Sequence, residues 1–153
     1  MQLIIGAEYP KAVIPLIDQA KTNLDIFQYA WALYPHASQT SMQKLNYAIK
    51  SAATRGVTCR ALLHPGSPSD HLRSKNASTA SALQVWGISH KFTSASGVLH
   101  AKGLIIDKRL AVLGSHNFSM RSMTSNIEIS ILVDDAAVVQ RLLQFYEILW
   151  RQS

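Results

Sequence analysis

Twenty residues, Val98 to Asn117, constrain this chain more than any others: VLHAKGLIIDKRLAVLGSHN. Val98 to Ile106 is β-branched and aliphatic, the composition of a strand. Asp107, Lys108 and Arg109 interrupt it, and Leu110 to Leu113 is apolar again, so the run predicts a β-hairpin with a short turn. Strand alternation puts Val98, His100, Lys102, Leu104 and Ile106 on one face. A tight turn then sets Lys102 roughly opposite Gly114 and His100 roughly opposite His116, with Ser115 and Asn117 beside His100. Gly114 leaves room for a ligand or a second backbone to approach. Polar and ionisable groups in an apolar run are costly to bury unless they are paired or used. Here an imidazole, an ammonium, a hydroxyl and an amide converge. Three of them can donate hydrogen bonds to an oxyanion, and one can act as nucleophile or acid–base. That is the equipment of a phosphate-ester site.

His100, Lys102, Asp107, Gly114, Ser115 and Asn117 stand in the order H-x-K-x4-D-x6-G-S-x-N. This pattern resembles the HKD signature of the phospholipase D superfamily, with every signature position filled. The resemblance is specific over about residues 90–130 and extends by element order to the whole chain. It implies phosphodiester hydrolysis or transfer through a covalent phosphohistidine, with no metal ion and no cofactor. It also implies two copies of the motif at one active site. This chain has one copy, so it is similar to the short members, which pair as homodimers and whose known bacterial examples are nucleases. Members of the family often place a Glu shortly after the G-S-x-N segment, where it supports the catalytic imidazole. Glu128 is the candidate here; the competing reading is a solvated carboxylate on a strand.

The roles that follow are these. His100 attacks phosphorus, and the partner subunit's His100 protonates the leaving oxygen and then activates water. Lys102 and Asn117 bind the non-bridging oxygens. Ser115 hydrogen-bonds a phosphate oxygen or the pocket. Asp107, too far along the hairpin to share the face of His100, fixes structure by ion pairing. Arg121 is a further candidate phosphate ligand. The remaining histidines, His36, His64, His71, His90 and His116, show no metal-ligand spacing such as H-E-x-x-H, so activity is expected to survive chelation.

The rest of the chain alternates strands and helices. Leu3 to Ile5 predicts an edge strand. Val13, Ile14, Leu16, Ile17 and Ala20 are spaced for an amphipathic helix to about Thr22, with Pro15 in its first turn. Leu24 to Trp31 reads as a strand, and 33–40 as a loop carrying Tyr34 and His36. Thr40 or Ser41 caps a helix to about Thr54, closed by Gly56. Val57 to Leu63 is a strand. Ser67 to Asp70 is a turn into a helix to about Trp86, with His71, Arg73 and Lys75 near its start. Ile88 to Phe92 is a short strand, and 93–97 turns into the hairpin. Phe118 to Ser125 is a loop or short helix, Ile127 to Val133 a strand, and Asp134 and Asp135 cap a last helix. The order predicts one domain, 1–153, of the α/β class: a mixed β-sheet flanked by helices on both faces, a phospholipase D-like α/β sandwich.

At 153 residues and 48% hydrophobic, the chain suits a single core. Its one cysteine, Cys59, excludes an internal disulfide framework or Cys-based zinc site and reads as a buried apolar residue. Asn76-Ala77-Ser78 fits a glycosylation sequon only formally. A net charge of +6 favours a polyanion. Nucleic acid or an anionic membrane would fit that charge; together with it, the resemblance to the short members implies nucleic acid as the partner, DNA ahead of RNA, and a homodimer with its active site on the two-fold axis. No signal peptide or membrane-length segment is seen, so the expectation is a cytoplasmic protein without stable membrane insertion. A phospholipid headgroup is the second substrate class; it calls for an exposed apolar patch, which the sequence does not reveal. A nucleic-acid-binding subunit with weak or regulated nuclease activity is the third reading.

Overall fold

A computed structural model describes residues 1–37, 39–67, 69–94 and 97–153; Pro68 of the expected 67–70 turn and residues 95–96 of the 93–97 connection lie outside them. The elements in order are β1 (Gln2–Ile5), a 3-10 turn (Gly6–Glu8), α1 (Tyr9–Asp18), β2 (Asn23–Gln28), α2 (Ser41–Thr54), β3 (Thr58–Leu63), α3 (His71–Val85) and β4 (Ser89–Phe92). Then follow β5 (Lys102–Ile106), β6 (Leu110–Gly114), α4 (Met120–Thr124), β7 (Ile129–Val133) and α5 (Ala136–Gln152). Seven strands form one mixed sheet in the order β1-β7-β6-β5-β2-β3-β4. The β2-β3-β4 side is parallel, joined through helices, and the remaining pairs are antiparallel.

Helices cover both faces, as expected. Ile4, Leu24, Ile26, Leu104, Ile106 and Val112 pack on one face with Val13 and Ile17 of α1 and Leu45 and Ile49 of α2. Phe27, Leu62, Ile105, Ala111 and Val133 pack on the other with Val139 and Tyr146 of α5. Each fully buried aliphatic or aromatic side chain contributes about 1.5–3 kcal/mol. The caps come from the expected residues. Thr40 Oγ1 accepts from Gln43 N at 3.2 Å while Gln43 Oε1 accepts from Thr40 N at 3.3 Å. Asp70 caps α3, and Asp135 accepts from Ala137 N and Val138 N at the start of α5.

Four expectations change. Helix α1 begins at Tyr9, so Pro10 holds the first turn and Pro15 lies inside the helix. Pro15 is exposed, and its missing N–H falls on the solvent side, where water can satisfy the freed carbonyl. Strand β2 stops at Gln28 and β5 starts at Lys102, because their pairing ends at Phe27↔Gly103 and the hairpin pairing at Lys102↔Gly114. Past those pairs His100 is not on a strand. Strand β7 likewise starts at Ile129 rather than Ile127. The formal sequon is closed: Asn76 is fully buried, and its side chain bonds Trp31 N, Tyr29 O and His64 O at 3.0, 2.8 and 2.8 Å.

One polar cluster in the fold carries no sequence signature. Arg60 on β3 reaches Asp25 Oδ1 at 2.7 Å and Glu147 Oε1 at 2.6 Å. Its guanidinium lies 5.0 Å from the Tyr146 ring and 5.2 Å from the Trp150 ring. It thus fastens α5 to the sheet over the fully buried Asp25.

Candidate active site

Strand direction gathers the site. Strand β5 runs antiparallel to the parallel pair β2 and β3, β6 antiparallel to β5, and β7 antiparallel to β6. The C-terminal ends of β2, β3 and β6 and the N-terminal ends of β5 and β7 therefore share one edge of the sheet. Along it stand Tyr29, His64, His100, Lys102, Ser115, Asn117 and Glu128. The segment after β6 is tied to the one after β2: Phe118 N donates to Ala30 O at 3.0 Å, and Ala32 N to Phe118 O at 2.9 Å. Asn117 therefore lies beside the Tyr29 segment.

His100 and Lys102 differ sharply in environment. His100 is exposed, whereas Lys102 is only 6% exposed. Lys102 Nζ donates to His100 O and lies 4.9 Å from the centre of the Tyr29 ring. Burial lowers the Lys102 pKa, and the charge of Glu128 works against that shift. The His100 ring meets the same Tyr29 ring at 5.0 Å and 62°. A reachable imidazole and a nearly buried ammonium thus meet one aromatic ring.

The far side of the hairpin is organised by Glu128. The Ser115 hydroxyl donates to Glu128 Oε2 and accepts from Ile129 N at 3.1 Å. Of the two expected roles of Ser115, it fills the one within the pocket, since its proton goes to the carboxylate. Ser122 Oγ and Asn126 Nδ2 donate to Glu128 Oε1 at 2.9 and 3.1 Å. Burial raises the Glu128 pKa, but these three donors and His116 outweigh it and hold the carboxyl below its ordinary value. The expected bond from Glu128 to the catalytic imidazole is not made among the described residues; the carboxylate braces the hairpin end. Asn117 is half-buried, and its Oδ1 has no hydrogen-bond partner among the described residues.

Gly114 permits this packing. A Cβ there would fall 2.2 Å from Ser130 Oγ, 2.3 Å from Ile129 O and 2.5 Å from Ser130 Cα. The close approach is of backbone to backbone, the second of the two uses expected for this glycine. Gly114→Ala is expected to force β6 from β7 and destabilise the protein by about 1–3 kcal/mol. An unchanged urea midpoint would contradict the packing described.

His116 and Asp107 are spent on the fold. His116 is buried and stacks on Tyr9 at 4.4 Å. Its Nε2 is 3.0 Å from Gly6 O, which can only accept, so Nε2 carries the proton and Nδ1, 2.7 Å from Ser130 Oγ, accepts. Burial lowers the His116 pKa from 6.5. The unfolded chain therefore takes up the proton first on acidification. Stability is expected to be intact above about pH 6.5 and to fall below it, with the half-buried His64, also shifted down by burial, adding the same sign. Urea midpoints from about pH 8 to about pH 5 test this; a flat profile, identical in His116→Gln, would contradict it. Asp107 makes no ion pair among the described residues. It accepts from the backbone N–H groups of Lys21, Thr22 and Asn23 and from the Thr22 hydroxyl at 2.7–3.1 Å. It locks the hairpin turn, whose central residues Asp107 and Lys108 have φ of 50° and 55°, to the start of β2. Arg121 is exposed on α4.

Sequence reasoning missed Tyr29, His64 and Asn76 as parts of this edge. Tyr29 lies past the end of β2 at Gln28, where strand alternation no longer applies, and no spacing pattern marks the other two as parts of a site. Among the described residues no group of three or more His, Cys, Asp or Glu side chains could hold a metal ion.

The mixed sheet, its flanking helices and the gathered His and Lys define a domain of the phospholipase D class. Residues 13–150 match the family model described as "Cardiolipin synthase, PLD-like domain", and the chain belongs to that family within the phospholipase D superfamily of phosphodiesterases. It is 30% identical over 105 residues to the probable cardiolipin synthase YwiE of Bacillus subtilis, covering 69% of this chain and 21% of that protein. The chain thus spans about a fifth of the length of such relatives. Among solved structures it is similar to Nuc from Salmonella typhimurium, a phospholipase D family member, with a TM-score of 0.81 at 20% identity over 99% of this chain and 93% of that one. NucT from Helicobacter pylori gives a TM-score of 0.77 at 19% identity over 99% and 95%. No helix among the described residues is long and apolar enough to cross a membrane.

Proposed function

We propose that this chain is a metal-independent phosphodiesterase that cleaves nucleic acid, DNA ahead of RNA, as a homodimer with its active site at the two-fold interface. The observation that carries the reading is that the exposed His100 imidazole and the nearly buried Lys102 ammonium meet the same Tyr29 ring, with Lys102 Nζ bonded to the His100 carbonyl. One His100 attacks phosphorus; an N–P bond forms as the P–O bond to the leaving group breaks. The partner subunit's His100 gives its proton to the leaving oxygen. That imidazole then takes a proton from water, whose oxygen bonds to phosphorus as the N–P bond breaks and the first His100 is restored. Lys102 and Asn117 stabilise the charge on the non-bridging oxygens. Arg121 on α4 is an outlying phosphate contact. Two displacements at one phosphorus give net retention of configuration. The net charge of +6 supports a polyanionic substrate, and the single His100 in the chain, which cannot be nucleophile and leaving-group acid at once, supports a dimer.

A phospholipid headgroup is the second reading, and two observations favour it. The curated relatives are cardiolipin synthases. The structure also has the exposed apolar patch that the sequence did not reveal: Leu3 and Ile5 on β1 and Ile129 on β7, 53–55% exposed, with Ile127 fully exposed before β7. The register sets Ile5 opposite Ile129, at the site edge of the sheet.

The test is cleavage of labelled single- and double-stranded DNA and RNA, and of phosphatidylglycerol vesicles, in excess EDTA. Turnover of nucleic acid alone supports the first reading. Turnover of lipid alone replaces it with the second. Salt-sensitive nucleic-acid binding with no turnover would leave a binding subunit, and loss of all activity in EDTA would end the metal-independent mechanism.

A further inference from the structure

We propose that Tyr29 is the positioning residue of this site: its ring sets the orientation of the His100 imidazole and the location of the Lys102 ammonium together. The inference rests on His100 and Lys102 acting as proposed above. Three groups surround the one ring. His64 stacks on it at 5.3 Å and 18°, His100 meets it at 5.0 Å and 62°, and Lys102 Nζ lies 4.9 Å from its centre. The negative face of an aromatic ring attracts a cation and favours tilted contact with a second ring.

His100 needs such a device. It is exposed, stands outside the strand pairing, and its side chain has no hydrogen-bond partner among the described residues. An imidazole held only by its own backbone would spread over several rotamers. A nucleophile misplaced by about 1 Å can lose on the order of 10²-fold in rate.

Tyr29 is itself fixed from behind. Its carbonyl accepts from Asn76 Nδ2, as does that of His64, both at 2.8 Å, and Asn76 Oδ1 accepts from Trp31 N at 3.0 Å. One fully buried amide on α3 therefore holds the two segments that carry Tyr29 and His64. His64 closes the stack on the side of β3. The Tyr29 hydroxyl makes no hydrogen bond among the described residues, so the ring does the positioning and the oxygen is dispensable.

The experiment compares Tyr29→Phe, Tyr29→Leu and Tyr29→Met with wild type and His100→Asn. It uses bis(p-nitrophenyl) phosphate, a small phosphodiester with no macromolecular contacts, with folding checked by circular dichroism. Tyr29→Phe is expected to keep kcat within about twofold of wild type. Tyr29→Leu, or Tyr29→Met if the branched residue does not fold, is expected to lower kcat by about 10–100-fold while KM moves less than about threefold. Loss in Phe equal to that in Leu, or a folded Leu or Met variant with wild-type kcat, would overturn the role while leaving His100 as nucleophile. An active His100→Asn would overturn the underlying reading instead. A second measurement needs neither a variant nor turnover. In wild-type NMR spectra the His100 ring protons should be displaced by the Tyr29 ring current from those of the exposed His71. Coincident shifts would overturn the proposal.

Discussion

Replacing His100 by Asn is expected to lower turnover on the order of 10⁴-fold or more while leaving thermal stability within about 0.5 kcal/mol of wild type. The asymmetry follows from its position. The imidazole is exposed and beyond the last hairpin pair, so folding gains little from it. The proposed reaction loses its nucleophile, and in the proposed dimer also its leaving-group acid. Lys102→Met makes the complementary case. It removes a donor to the phosphoryl oxygens, at about 10²–10³-fold in kcat. Yet it replaces a nearly buried ammonium with an apolar chain of similar length, which is often neutral or stabilising. Urea unfolding beside initial rates separates the two effects. A His100→Asn enzyme retaining more than about 1% of the rate would remove His100 from the chemistry.

Arg60→Ala is expected to destabilise the protein by about 3–5 kcal/mol. The guanidinium is bonded to Asp25 and Glu147 and lies against Tyr146 and Trp150. Asp25 is fully buried in the middle of the sheet, and its Oδ2 has no partner among the described residues. Removing Arg60 leaves a carboxylate with neither water nor counter-charge and takes away two cation–π contacts. The double variant Arg60→Met with Asp25→Leu should recover most of the loss, because no charge is left buried. Urea midpoints decide it: a loss below about 1 kcal/mol for Arg60→Ala would mean that the pair contributes only as a surface contact.

Local features were legible because they depend on neighbours in sequence. The Thr40 and Asp135 caps and the amphipathic stripe of α1 each repeat a short-range rule. So does the hairpin register, with Lys102 opposite Gly114. The ends of strands were less legible. Leu24 to Trp31 and Val98 to Ile106 both have strand composition, but a strand ends where its partner does, and the partners of β2 and β5 are distant in sequence.

The polar partners were hardest to foresee. Asp107 was expected to form an ion pair, yet it satisfies backbone N–H groups more than eighty positions earlier. Glu128 was a candidate to support the imidazole or a solvated carboxylate; within this chain its side-chain bonds go to Ser115, Ser122 and Asn126. His116 and Asn76, for which the sequence offered no role, are buried structural donors and acceptors.

The amino-acid sequence alone determined the αβ order, the hairpin and the HKD residues, because periodicity and motif spacing are properties of adjacent positions. The tertiary structure alone decided which polar groups are spent on the fold and which stay free for chemistry. It exposes His100, buries Lys102, gives the proton of Ser115 to Glu128, and sets Tyr29 against both His100 and Lys102. Burial and hydrogen-bond partnership are long-range quantities, fixed only when strands from distant parts of the chain meet at one edge of the sheet.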